Sequence, residues 1–316
     1  MEKLMNNGGS NGAKRWLLLG LVLVAVVSAF SGMINRYYLG VLVEAGVNVT
    51  LAVSLNLING YTGQFSLGHG GFMAVGAYLA AKLTLLFGPA LPPALQPVLF
   101  AGALLCGGMG AALAGLLVGV PSLRLRGDYL AVVTLAFGEI IRVVFQNSPA
   151  FGAATGLSGI APWTNFFWSW SVALVTVYVV LALVHSTYGR GFLAVNDDEI
   201  AASAMGINPV RYKVTAFVVG AFFAGVAGGL FAHLKRAINP EGFNFMRSID
   251  VVVMVILGGM GNTAGVVVAA VLLTLLPELL RGFSEYRMIV YSLLIITLML
   301  LRPQGLFGRS SKGGRL

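Results

Sequence analysis

Between positions 185 and 213 an otherwise apolar sequence is interrupted by Arg190, Asp197, Asp198, Glu199, Arg211 and Lys213. At its centre stands Glu199-Ile200-Ala201-Ala202-Ser203-Ala204-Met205-Gly206, of the form E-x-A-A-x-x-x-G. The chemistry this pattern suits is mechanical rather than covalent. Acidic residues favour the positive end of a helix dipole, and an Asn or Asp at the start caps the first amides. Ala201, Ala202, Ser203 and Ala204 are small enough for close approach to another backbone, and Gly206 with Asn208-Pro209 stops the helix. The spacing predicts a short helix starting near Asn196 or Asp197. Its residues Asp198, Glu199, Ala201, Ala202, Gly206 and Asn208 would meet a groove on another protein. The ordinary alternative is a helix lying on a membrane surface, but that use wants bulky apolar anchors and a basic face.

Three further groups carry polar chemistry. Glu44 and Asn48 lie one turn apart on an apolar run and so share a helix face. An ionisable group inside a span points to function; a structural bond between helices is the competing reading. Gln64, Ser66 and His69 crowd a Gly-rich stretch, Gly60-Tyr61-Thr62-Gly63-Gln64-Phe65-Ser66-Leu67-Gly68-His69-Gly70-Gly71. They offer donors and acceptors for a zwitterion in passage, or else serve backbone groups freed from helix. Glu139 with Arg142, and Asp250 with Arg247, have the spacing of structural pairs.

Covalent catalysis finds no footing. The sequence has no G-x-x-x-x-G-K-[ST] phosphate loop, no H-E-x-x-H and no G-x-S-x-G. His69, His185 and His233 stand apart, with no Cys or carboxylate at metal spacing. The one cysteine, Cys106, can form no internal disulfide.

The elements that must position these groups are membrane helices. The chain of 316 residues is 58% hydrophobic and 10% charged, against about 25% charged for a soluble domain. Its net charge of +9 fits Lys and Arg flanking membrane spans. No basic stripe with interleaved aromatics appears, which argues against nucleic acid. Apolar runs predict an all-α, polytopic transmembrane bundle of about ten spans, near 16–34, 37–59, 72–87, 97–120, 128–146, 166–184, 212–231, 249–260, 264–281 and 287–302. Both termini fall inside by the positive-inside rule, with Lys235 and Arg236 as dissenters on the outer side. Broken or re-entrant segments are expected near 60–71 and 258–265. Lys14-Arg15 before Trp16–Phe30 reads as an uncleaved first span rather than a signal peptide, because further spans follow at once. Residues 1–13 form a disordered cytoplasmic tail in this reading, 14–307 one transmembrane domain with a cytoplasmic loop at 185–212, and 308–316 a basic tail. Gly115 with Gly119, and Gly225 with Gly229, have the spacing of close helix packing.

Several of these motifs occur together, in order, in one family. They are Gly63-Gln64-Phe65-Ser66-Leu67-Gly68-His69, Leu123-Arg124-Leu125-Arg126-Gly127-Asp128-Tyr129-Leu130-Ala131 and Thr134-Leu135-Ala136-Phe137-Gly138-Glu139-Ile140-Ile141-Arg142. The E-x-A-A-x-x-x-G loop follows with Gly206-Ile207-Asn208, then Leu257-Gly258-Gly259-Met260-Gly261 and Arg302-Pro303-Gln304-Gly305-Leu306. From about residue 44 to 307 the chain resembles the permease family of branched-chain amino acid ABC importers, in its M-type form. The resemblance implies a subunit of the cytoplasmic (inner) membrane that translocates leucine, isoleucine and valine and is not itself an enzyme. It implies a second homologous permease, two ATP-binding subunits and a periplasmic or extracellular solute-binding protein, all working in the lipid bilayer without nucleic acid. It implies no cofactor on this chain, with ATP and Mg held by the ATPases, and a coupling helix formed by Glu199, Ala201, Ala202 and Gly206. Related permeases for urea, short amides or aromatic acids share these motifs. An ion-driven secondary transporter with Glu44 as its relay is the reading from another class.

Overall fold

Six of the described α-helices begin where the sequence offers a side-chain oxygen to their first amides. The computed structural model describes residues 10–33, 35–122, 128–283, 287–301 and 305–306. Among these are twelve α-helices: α1 (Ser10–Ala29), α2 (Arg36–Asn56), α3 (His69–Phe87), α4 (Gln96–Ser122), α5 (Asp128–Gln146), α6 (Phe166–Val184), α7 (Gly189–Asp197), α8 (Glu199–Ala204), α9 (Pro209–Lys235), α10 (Phe245–Gly258), α11 (Thr263–Leu279) and α12 (Arg287–Leu301). Side chains of Asn35, Asn165, Asp198, Asn208, Asn244 and Asn262 cap α2, α6, α8, α9, α10 and α11, each satisfying an amide that helix geometry leaves without a partner.

Six helical segments are long and apolar enough to cross a bilayer: Arg36–Tyr61, His69–Ala90, Pro93–Pro121, Tyr129–Gln146, Phe166–Val184 and Pro209–Lys235. Leu17–Ala29 and Thr263–Leu279 are apolar but shorter. The fold class is therefore the expected helical one, with six of the expected ten runs qualifying by length and composition among the described residues. The two terminal tails, apart from residues 10–13, lie outside the described residues. So do positions 123–127 and 302–304 of the quoted motifs.

α9 is the axis of the bundle, packed against α2, α3 and α4. Small residues let these backbones meet. A Cβ on Gly107 would lie 2.7 Å from the Gly76 carbonyl oxygen, and one on Gly225 would lie 2.8 Å from that of Gly107. α3, α4 and α9 thus touch through three glycines, the close packing that replaces the hydrophobic drive inside a bilayer. Gly115, facing Ala221, and Gly229, facing Leu104 and Ala80, have the packing use expected of them. Large apolar side chains on the outward faces stay exposed, among them Leu105, Met109, Leu113 and Leu117 along α4. Water would not tolerate so continuous a face; lipid does.

The helical pattern fails in two places. After α2 the last turn widens to a π-turn at Leu57–Tyr61, and residues 62–68 carry no helix. A second break at 259–262 separates α10 from α11, with Gly259 and Gly261 at φ +95° and +79°. Both breaks are shorter than the expected 60–71 and 258–265. Tyr61 still closes the π-turn, and His69 to Gly71 already belong to α3, because a helix tolerates glycine where close packing replaces propensity.

Candidate functional site

The loop predicted from residues 185–212 folds as two short helices, α7 and α8, rather than one. α7 runs through Asn196 and Asp197, so the new helix starts later than expected: Asp198, in extended conformation, accepts from the amides of Ile200 at 2.8 Å and Ala201 at 3.0 Å. Gly206 ends α8 at φ +83°, where the Ile207 amide donates back to the Ala202 carbonyl at 3.0 Å. That is the six-to-one bond of a glycine-terminated helix. Asn208 then caps α9 through the Arg211 amide.

Two features of this segment were invisible to pattern reading. Ala202 was expected on the outward face, yet it is buried within the chain, whereas Ala201, Ser203 and Ala204 are exposed. The exposed face carries two large apolar side chains, Ile200 at 72% and Met205 at 83% exposure. Helical rotation of about 100° per residue separates these faces. The second feature is the tie to the axis helix. Lys213 Nζ donates to Glu199 Oε2 at 2.6 Å, with the Lys213 side chain only 11% exposed. Stacking of Tyr188 on Tyr212 at 4.4 Å holds α7 to the same end of α9.

The first break sits beside this segment. Asn196 Nδ2 donates to the Gly60 carbonyl at 3.4 Å. The two breaks also touch each other: the Gly261 amide donates to Asn56 Oδ1 at 2.9 Å, and the Tyr61 and Thr263 hydroxyls bond at 2.8 Å. Gln64, Ser66 and His69 are all buried, but each turns to a different neighbour. Gln64 Nε2 donates to Thr62 Oγ1 at 2.9 Å, the Ser66 amide donates to Asn59 Oδ1 at 3.2 Å, and His69 Nε2 bonds Ser54 Oγ at 2.9 Å. The freed backbone is served by Asn56, Asn59 and Thr134, the last accepting from the Leu67 amide at 3.0 Å. Among the described residues, the Gln64 Oε1, Ser66 Oγ and His69 Nδ1 atoms are left buried without partners, as are the Nδ2 atoms of Asn56 and Asn59. Native interiors leave few such atoms. At membrane depth non-helical backbone persists only against protein or a water-filled cavity.

Glu44 and Asn48 lie toward the opposite end of α9. Lys235 Nζ donates to Glu44 Oε2 at 2.9 Å. Asn48 donates through Nδ2 to Thr274 Oγ1 at 2.9 Å and accepts at Oδ1 from Arg247 at 2.8 Å. The expected Arg247–Asp250 pair is absent among the described residues; Asn48 has taken the guanidinium instead, and Asp250 is exposed. The Glu139–Arg142 pair is present at 2.7 Å, and Arg142 also reaches Glu241 at 3.2 Å. Among the described residues no three His, Cys, Asp or Glu gather as a metal would need.

Residues 37–301 match the family model described as branched-chain amino acid transport system, permease component. The chain is 36% identical over 333 residues to the high-affinity branched-chain amino acid transport system permease protein LivM of Salmonella typhimurium, covering 94% of this chain and 76% of the relative. It is 23% identical over 316 residues to the probable LivM of Methanocaldococcus jannaschii, covering 84% and 92%. The permease protein LivH of Escherichia coli is 33% identical over 142 residues, 43% of this chain and 46% of its own length. No solved structure matches.

Proposed function

This chain belongs to the branched-chain amino acid transport permease family, and we propose from that premise that it is the membrane subunit of an ATP-driven importer of leucine, isoleucine and valine. It is a multi-pass membrane protein. The α7–α8 segment faces the cytoplasm, as do both termini, and the shorter apolar helices α1, α10, α11 and α12 complete about ten passes or re-entrant pieces. The carrying observation is the build of α8. It is capped at both ends, exposes Ile200 and Met205, and is tied by Glu199–Lys213 to the helix that runs through the bundle. A segment so fastened can pass a push from a partner into α9 and, through Asn196, into the first break.

The mechanism follows. Two ATP-binding subunits, holding ATP and Mg, close on nucleotide and displace α8. Asp198, Glu199, Ala201, Ala202, Gly206 and Asn208 keep α8 a rigid unit: the first caps it, Glu199 holds it to α9, Ala202 packs it down, Gly206 ends it and Asn208 starts α9. The exposed Ile200 and Met205 seat in the ATPase groove. A second permease like this chain forms the other wall, since LivM and LivH are both named as permease proteins of such a system. A solute-binding protein delivers at the other side. Gln64, Ser66 and His69, with Glu44 and Asn48, line the route of the solute.

The alternative of ion-driven transport needs Glu44 free to exchange protons. Its ion pair with Lys235 favours the importer. The test is purification of tagged protein with its co-purifying chains, and ATPase assay with and without Glu199→Ala. Recovery of an ATPase and a second permease, both depleted by the substitution, supports the reading. A solitary chain would sink it.

A further inference from the structure

Arg247 is a cation with no direct ion pair among the described residues. Glu44 is bonded to Lys235, and Glu44 and Asp250 act on the Arg247 guanidinium only through space. One neutral bond, to Asn48 Oδ1 at 2.8 Å, and the face of Phe231, 5.3 Å from ring centroid to guanidinium, are its visible support. The Nε atom is buried and has no partner. A charge removed from water is costly unless paired, and an intramembrane cation is retained only where it is used. The surroundings are matched to something small, charged and partly apolar. Lys235 lies over the same Phe231 ring at 5.5 Å, Glu44 stands one turn before Asn48, and Met246 beside Arg247 is exposed. Two cations, one nearby carboxylate and an aromatic face complement an amino acid headgroup with an aliphatic side chain.

We infer that Arg247 binds the α-carboxylate of the transported amino acid, at a site on this chain toward the end of α9 opposite the coupling segment. Glu44 gives up Lys235 to receive the α-ammonium, and Phe231 and Met246 meet the side chain. This inference rests on the importer reading above and adds to it a selectivity site within the permease itself. The competing explanation is a carboxylate from the second permease completing an interface.

The experiment uses the whole complex, both permeases with their ATPases, in lipid nanodiscs without nucleotide or binding protein. Equilibrium binding of radiolabelled leucine is measured and competed with 4-methylpentanoate, which has the carboxylate only, and leucinamide, which has the amine only. The wild type should bind leucine and be displaced better by 4-methylpentanoate. Arg247→Gln should weaken leucine by roughly tenfold or more, the cost of a lost charged hydrogen bond, and erase that preference, while Arg247→Lys keeps part of it. Asn48→Asp guards against misfolding as the cause. It supplies the missing anion within the chain, so the complex should melt higher yet bind leucine at least tenfold more weakly. Binding retained in Arg247→Gln or Asn48→Asp, or loss of the second permease from Arg247→Gln, overturns the inference. So does a wild-type complex that transports leucine but binds none. A wild-type complex that transports no leucine refutes the importer reading itself, which is a different failure.

Discussion

The two ends of α9 solve the same problem, a lysine near the membrane boundary, in opposite ways. Lys213 and Lys235 stand 22 positions apart, about 33 Å along the helix axis. At the first end Lys213 is nearly buried and meets Glu199 from only 14 residues away. Every turn around it is closed by a cap, a glycine or a stacked ring. At the other end Lys235 is 44% exposed and its partner, Glu44, comes from 191 residues away. Arg247 beside it keeps an unpartnered Nε. A segment whose caps and ion pair are all made can move as one piece, as a lever must. An end with unspent donors can exchange partners, as a binding surface must. On the proposed reading, the local bond network would transmit force and the non-local one would hold the ligand.

The sharpest way to break this comparison is to treat both lysines alike. Lys213→Glu sets two carboxylates face to face in a nearly buried place, so coupled transport should fall at least tenfold. The complex should lose thermal stability by about 3 kcal/mol, the scale of a disrupted buried pair, read as a melting shift in detergent. Lys235→Glu, in a wetter place, should cost no more than about 1 kcal/mol. Equal losses at the two ends would remove the distinction.

A smaller effect sharpens the stiff end. Asp198→Ala removes the cap of α8, worth about 1 kcal/mol. The prediction is a severalfold drop in ATPase stimulation by loaded binding protein, with the permease pair still assembled. Unchanged stimulation would mean that the rigidity of α8 is irrelevant to coupling. The smallest effect is expected from Glu44→Gln, which keeps the shape and a hydrogen bond while removing the charge. At saturating solute, where a weaker hold on the α-ammonium is masked, initial rates of leucine uptake should change less than about threefold, a difference of well under 1 kcal/mol, while half-saturation moves to higher leucine. Abolished uptake would instead make Glu44 the relay of an ion-driven carrier.

The legible parts of this protein were the local ones. The helical class, the stop of α8, the gaps near 63 and 260 and the Glu139–Arg142 pair all depend on residues within about six positions of one another. Dihedral preferences and caps act over that range, so residue type and spacing suffice to read them. The even split over Gln64, Ser66 and His69 could not be resolved that way. Which side chains serve the freed backbone depends on Asn56, Asn59 and Thr134, and Thr134 arrives from another helix. Asp250 was paired with Arg247 because helix spacing allows it, but packing brought Asn48 of α2 closer.

The sequence by itself determined that this is a helical chain with membrane-spanning runs and no G-x-x-x-x-G-K-[ST] phosphate loop, carrying a short capped helix between them. Composition, periodicity and capping are properties of neighbouring residues and need no fold to be read. Only the tertiary structure decided that the two breaks touch, that Ala202 turns inward while Ile200 and Met205 turn out, and that Arg247 makes no ion pair among the described residues. Those facts follow from which helices pack together through glycine contacts such as Gly76, Gly107 and Gly225. Helix-to-helix distance and rotation are set by the sum of many packing contacts across the chain, and no window of sequence contains that sum.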